Sequence, residues 1–175
     1  MLPKPAKRLR FREMADADLD VMAQLLGDPY VMRFYPRPYT REEAQRWIDW
    51  NQDNYQRYGH GLWIVETLEG TFVGDCGLTW QTVEGTQHLE VGYHTVEAMQ
   101  GRGYATEAAR ACIDFAAVAL GADHAIAIIN PDNGPSQRVA QKVGLRLERT
   151  AEVYGLSRAI YGSALPIQKL IDVVP

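Results

Sequence analysis

Seven consecutive residues, Gln100-Gly101-Arg102-Gly103-Tyr104-Ala105-Thr106, carry the clearest chemical signal in the chain. Ahead of them, His88-Leu89-Glu90-Val91-Gly92-Tyr93-His94 alternates polar and apolar residues; behind them runs an alanine-rich segment with helical spacing. A strand therefore leads into a glycine turn that opens a helix. The first amides of a helix have no partner within it, and the helix dipole places partial positive charge there. Glycines let that backbone approach an anion closely, so the expected chemistry is a seat for phosphate or pyrophosphate. The third glycine of a dinucleotide fingerprint would fall on Thr106, and no Gly-Lys-Ser/Thr run is present, so neither of those nucleotide loops is spelled here. The alternative is an ordinary tight turn before a packed helix.

The elements that must position this turn follow from length and pattern. A chain of 175 residues suits one domain, residues 1–175 with a core from about 8 to 166. Its 46% hydrophobic and 23% charged content is that of an ordinary globular protein. The net charge of −4 and the lack of a Lys/Arg block argue against a nucleic-acid partner and fit an amine-bearing one. Cys76 and Cys112 have no metal-ligand spacing with histidine, and Cys112 falls on an apolar helical stripe, so no metal is expected. Met1 to Arg12 lacks the apolar centre of a signal peptide, and no run approaches the ~18 apolar residues of a membrane span. The compartment expected is the cytoplasm, with no membrane partner.

Taken in order, Arg8 to Met14 reads as a strand. A helix capped by Asp16 or Asp18 follows, with Leu19, Met22, Ala23 and Leu26 inward and Gly27 at its C-cap. Asp28 to Tyr39, with three prolines and four aromatics, reads as an irregular loop. Tyr30, Phe34 and Tyr35 in that loop either pack inward or wall a substrate. Thr40 and Glu43 form a capping box for a helix with Ala44, Trp47, Ile48, Tyr55 and Tyr58 near one face and Trp50 off it. Gly61–Thr67, Thr71–Trp80 (broken by Gly74 and Gly77) and Gln87–Thr95, joined by short turns, predict an antiparallel meander. The helix from about Tyr104 to Leu120 and the apolar run Ala125–Ile129 then require a parallel pair with a right-handed crossover. Asn130 to Ser136 caps a short helix that stops at Gly144. Leu145–Ala151 and Leu156–Leu165 close as a hairpin, and the tail after Pro166 has no assignment.

Four spaced motifs now appear together. They are Asp28-Pro29-Tyr30-Val31 before the capping box and Trp47-Ile48; Glu90-Val91-Gly92-Tyr93; the Gln-x-x-Gly-x-Ala loop of Gln100, Gly103 and Ala105; and Asn130-Pro131-Asp132-Asn133 with Ser136 and Lys142-Val143-Gly144-Leu145. In this order they resemble the RimJ/RimL-type branch of the GNAT superfamily of N-acetyltransferases. The resemblance covers most of the chain. It implies an α/β fold: a mixed, mostly antiparallel sheet of six to seven strands, helices on both faces, and a central parallel pair that splays to admit acetyl-CoA. Strands that part leave N–H and C=O groups unpaired, and an amide-bearing pantetheine arm can pair with them.

The implied reaction moves an acetyl group from the thioester to a primary amine, either a protein N-terminus or a small molecule. The resemblance assigns cofactor contacts to Val91, Gly92, Tyr93, the loop Gln100, Gly101, Arg102, Gly103, Tyr104, Ala105 and Thr106, and to Asn130, Asn133 and Ser136. A backbone N–H near Val91 to Tyr93 would meet the developing oxyanion. The amine must be neutral to attack, so a base is needed. Glu90 is the first candidate, because Glu90, Gly92 and His94 share the strand face opposite Leu89, Val91 and Tyr93; the alternative is a solvated or salt-bridged carboxylate. His94 and His88 rank behind it, and His60 and His124 read as structural. The tyrosine acid of many members would fall on Ala140, so Ser136 is the residue offered to protonate the thiolate, unless it only caps its helix. With no plausible nucleophile, transfer is expected directly within a ternary complex. Two other readings stay open: a non-catalytic acyl-CoA sensor, and a mononucleotide-binding module.

Overall fold

The structure, a computed structural model, describes residues 1–166. The tail after Pro166 lies outside the described residues. Seven strands form: β1 (Leu9–Arg12), β2 (Leu62–Thr67), β3 (Phe72–Val83), β4 (Thr86–Thr95), β5 (His124–Ile129), β6 (Arg146–Val153) and β7 (Leu156–Ala164). The helices are α1 (Leu19–Gly27), α2 (Arg41–Tyr58), α3 (Tyr104–Val118) and α4 (Gly134–Lys142). The strands make one sheet in the order β1-β2-β3-β4-β5-β7-β6. All neighbours run antiparallel except β4 and β5, which are parallel. This is the mixed, mostly antiparallel sheet that the sequence leads one to expect.

Both faces of the sheet are covered. On one, Leu89, Val91, Cys76 and Leu78 pack beneath Ala109, Cys112 and Ala116 of α3. Small residues at those helix positions let α3 lie close, and Cys76 and Cys112 are buried free thiols with sulfurs 3.6 Å apart. On the other face, Leu62 and Ile64 meet Met22, Leu26, Ala44 and Ile48 of α1 and α2. Asn51 locks α2 to the sheet: it is fully buried, its Nδ2 donates to Trp47 O at 2.9 Å, and its Oδ1 accepts from Leu62 N at 2.7 Å.

Three details differ from expectation. Gly27 does not cap α1; it is the last helical residue, and Asp28 in extended conformation forms the C-cap. Tyr58 is exposed at the end of α2, while Asn51 and Asn54 occupy the buried face. Gly74 and Gly77 do not break β3, which runs through both. They are sites of close backbone approach: a Cβ on Gly74 would collide with the carbonyl of His94, and one on Gly77 with that of Gly61. The β3–β4 turn at Glu84 and Gly85 has φ of 51° and 80°, the paired left-handed geometry that favours a two-residue hairpin.

The feature that positions the site is the poverty of the parallel pairing. β4 and β5 share one register pair, Glu90 with Ile126, and then diverge. Backbone groups beyond that pair turn toward a cavity of about 510 Å³.

Candidate active site

At one end of this cavity lies the glycine turn. Gly101 and Gly103 have φ of 74° and 82°, a region where a Cβ is strained, and Gly103 is the N-cap of α3. No side chain caps this helix. Its first backbone hydrogen bond runs from Glu107 N to Gly103 O at 3.0 Å, and among the described residues the amides of 101 to 106 donate to nothing. These free amides, with the dipole of a 15-residue helix behind them, make an anion seat. Gln100 fixes the approach, its Nε2 donating to Thr95 O at 2.9 Å.

Glu107, in the first turn of α3, would oppose an anion, but Arg8 neutralises it. The Arg8 guanidinium lies 2.7 Å from Glu107 Oε2, over the Tyr104 ring at 4.5 Å, and its Nη1 donates to Arg102 O at 3.2 Å. Arg138 and Lys142 of α4 add positive charge along the cavity wall.

In the middle of the cavity the two strands part. Glu90 Oε1 accepts weakly from Ile128 N at 3.4 Å, so a side chain partly replaces the missing ladder. Burial pushes the Glu90 carboxyl up to about 7, against the smaller opposing effects of the Ile128 amide, His94 and Thr79. A carboxyl poised near neutrality suits proton transfer.

The α3 side of β4 carries a second polar pair. Tyr93 OH donates to Ser136 O at 2.9 Å, and its oxygen lies 3.0 Å from Ser136 Oγ. Burial raises the Tyr93 phenol, with Ser136 pulling the other way. Asn133 caps α4 by accepting from Ser136 N at 3.1 Å. Asn130 ties the β5–α4 loop to the aromatic loop, donating to Phe34 O at 3.0 Å.

The far end of the cavity is walled by Tyr30, Phe34 and Tyr35. Tyr35 OH lies 2.8 Å from His94 Nε2. His94 Nδ1 lies 2.8 Å from Asp75 Oδ1, which also accepts from His94 N at 3.0 Å. Trp47 Nε1 donates to Asp75 Oδ2 at 3.0 Å. Burial alone would lower the His94 pKa, but Asp75 and Glu90 together raise it above the ordinary value.

Comparison with known proteins agrees with this geometry. Residues 8–146 match the acetyltransferase (GNAT) domain family. The chain belongs to the GNAT acetyltransferases. It is 37% identical over 156 residues to the uncharacterized protein YkkB of Bacillus subtilis (strain 168), covering 88% of this chain and 91% of that one. The uncharacterized N-acetyltransferase YnaD of the same organism is 28% identical, with 81% of each chain covered. Among solved structures, an acetyltransferase from Agrobacterium tumefaciens str. C58 superposes with a TM-score of 0.80 at 25% identity, covering 90% of this chain and 91% of that one. RimL, a ribosomal L7/L12 α-N-protein acetyltransferase in complex with coenzyme A, shares the fold at 18% identity and TM-score 0.76, covering 95% and 99% of the two chains. This GNAT chain is an acyltransferase.

Within the GNAT fold, the residues singled out in the sequence fall as follows. Glu90, Val91, Gly92, Tyr93, Gln100, Gly101, Gly103, Tyr104, Ala105 and Thr106 all line the one cavity. So do Asn130, Asn133 and Ser136, and Tyr30, Phe34 and Tyr35. Arg102 does not line it; its carbonyl is held by Arg8 instead. Trp47, read as core, sends its indole N–H to Asp75. Asp75 and the Tyr93 hydroxyl were not singled out for chemistry, and His94 ranked low. Counting outward from the Glu84-Gly85 turn would have found Asp75, because the hairpin register sets it opposite His94. Among the described residues no group of His, Cys, Asp or Glu is placed to hold a metal ion, and no helix is long and apolar enough to cross a membrane.

Proposed function

We propose that this chain is a cytoplasmic, acetyl-CoA-dependent N-acetyltransferase that acetylates a primary amine directly within a ternary complex. The observation that carries the reading is the row of free amides at the start of α3, opening on a cavity that continues past the strand splay to an aromatic wall. The residues present fit the donor. Amides of Gly101 to Thr106 would hold the pyrophosphate, with Arg138 and Lys142 beside it. Parted edges of β4 and β5, including Val91 to Tyr93, would pair with the pantetheine amides. Bound there, acetyl-CoA supplies the acetyl group as an activated thioester.

The chain's own groups divide the proton work by strand face. Glu90 lies on the aromatic-loop side and acts as a general base toward the amine. Ser136, backed by the Tyr93 hydroxyl 3.0 Å away, lies on the α3 side and provides a proton for the departing sulfur. A backbone N–H from Val91 to Tyr93 stabilises the oxyanion, worth roughly 3 kcal/mol in comparable sites. Asn130 and Asn133 act by shaping the cavity wall. Tyr30, Phe34 and Tyr35 select the acceptor, which in a RimJ/RimL-type enzyme would be a protein N-terminal amine and in a re-cut loop a small amine.

The test is a panel of peptides with free N-termini and of small amines, each incubated with acetyl-CoA and read by released thiol and acceptor mass. Acetylated acceptor with no acetyl-enzyme trapped is the expected result. Acetyl-CoA binding without thiol release across the panel would instead identify a sensor module.

A further inference from the structure

The acceptor end of the cavity holds a chain of polar contacts that the reaction outlined above does not use. Trp47 and Asp75 fix His94, and His94 meets Tyr35. Because Asp75 is a carboxylate and only accepts, the proton between Asp75 and His94 sits on Nδ1. The neutral ring then turns a lone pair from Nε2 toward the Tyr35 hydroxyl, which donates to it. Asp75 is 1% exposed and His94 9%, whereas Tyr35 as a whole residue is 38% exposed and lines the cavity, with its phenol pKa raised mainly by burial. The buried end is held by the Trp47, Asp75 and His94 hydrogen bonds, and at the cavity end the Tyr35 oxygen accepts from no other described residue.

From this geometry we infer that Tyr35 and His94 take the first proton from the acceptor's ammonium group, with Asp75 and Trp47 as positioning residues. The inference rests on the amine-acetylation reading above. An ammonium nitrogen must lose one proton before it can attack, and a second once it is bonded to the acetyl carbon. Glu90 supplies one acceptor for those two protons; His94 supplies the other. Glu90, Gly92 and His94 share one strand face and all three line the cavity; Leu62 packs beside Gly92, so an amine entering from the cavity side meets Glu90 and His94 as proton acceptors two residues either side of Gly92.

The step balances. One ammonium N–H bond breaks and its electron pair stays on nitrogen. Its proton passes to the Tyr35 oxygen while the Tyr35 hydroxyl proton passes to His94 Nε2. The imidazolium so formed is paired with Asp75. The charged or titratable groups facing this centre are Asp75 from β3, Glu90 from β4, Tyr35 and Tyr39 from the loop, and Arg158 of β7, which lines the same cavity. Trp47 of α2 sets its ring edge-on to His94 at 5.9 Å.

The experiment compares wild type, Tyr35→Phe and His94→Asn at saturating acetyl-CoA. Two acceptors are used: the best amine of the panel above, and its alkoxyamine counterpart, which is uncharged near neutral pH. With the amine, each variant should lose about 100-fold in kcat/KM near neutral pH. That loss should shrink as pH rises and the amine becomes neutral by itself, and near neutral pH the alkoxyamine should lose at least about tenfold less than the amine in the same variant. Equal losses for both acceptors at all pH values would reduce the cluster to a structural prop, and unchanged kinetics would remove it altogether. Tyr35→Phe alters a partly exposed loop residue, so it remains informative if His94→Asn folds poorly. Asp75→Asn should lower the pH midpoint of the wild-type acid limb; an unmoved midpoint would remove Asp75 from the chain. Failure of the wild type to release thiol with any amine would instead defeat the acetyltransferase reading itself, a separate outcome.

Discussion

The Glu90 carboxylate stands 3.4 Å from the amide of Ile128, across the gap that opens after the single register pair of β4 and β5. One side chain thus spans the place where two strands stop pairing, and it sits between the two ends of the cavity. Its pKa, pushed to about 7 from an ordinary 4.5, means that folding disfavours its ionised form by roughly 3 kcal/mol. The folded-state value is raised, so the stabilisation is fully present below pH 4.5 and is lost as pH rises through about 7. Glu90→Gln should therefore melt higher than wild type at alkaline pH and close to it in acid. The same substitution should lower kcat by about 100-fold or more and abolish the rate increase centred near pH 7. Melting curves and pH–rate profiles of the two proteins check both statements.

Gly103 combines a φ of 82° with the N-cap of an uncapped helix. Gly103→Glu adds a strained residue, costing about 1–2 kcal/mol of stability, and an anion where a diphosphate would sit. The loss of acetyl-CoA affinity should be on the order of 100-fold or more, read by titration calorimetry on protein shown to be folded. Unchanged binding would take the glycine turn out of the site.

Arg8 neutralises Glu107 beside the same turn. Arg8→Ala should leave the fold intact but expose the diphosphate to an unpaired carboxylate, weakening acetyl-CoA by up to about fivefold at low salt, the scale of one exposed ion pair. Screening should erase the difference at high ionic strength. Arg8→Ala combined with Glu107→Gln should recover most of the loss, and a double variant as weak as the single one would exclude this account.

Gly74 and Gly85 are both left-handed glycines of the β3–β4 hairpin, with different surroundings. A Cβ at Gly85 meets nothing within 4 Å, whereas one at Gly74 meets the backbone of His94 and Thr95. Gly85→Ala should cost only the conformational penalty, about 1 kcal/mol. Gly74→Ala should cost about 2–3 kcal/mol or more and also lower activity by displacing His94. Urea denaturation measures the first difference and thiol release the second.

Much of this architecture is written locally. The Thr40–Glu43 capping box, the hairpin turn at Glu84-Gly85, the small-residue stripe of α3 and the glycines at 101 and 103 each depend on neighbours a few residues away. The strand–turn–helix–strand order required a parallel pair, and the alternation along β4 put Glu90 and His94 on one face and Tyr93 on the other. What the sequence left open depends on distance across the fold. Tyr35, Trp47, Asp75 and His94 come from a loop, a helix and two strands, and no spacing rule brings a loop tyrosine to a strand histidine. The Tyr93–Ser136 contact likewise exists only because β4 and α4 converge where β5 has turned away. Local periodicity decides which face a side chain takes. Only the packing of separate elements decides which side chains then meet, because that depends on register, crossing angle and the shape of the gap between them.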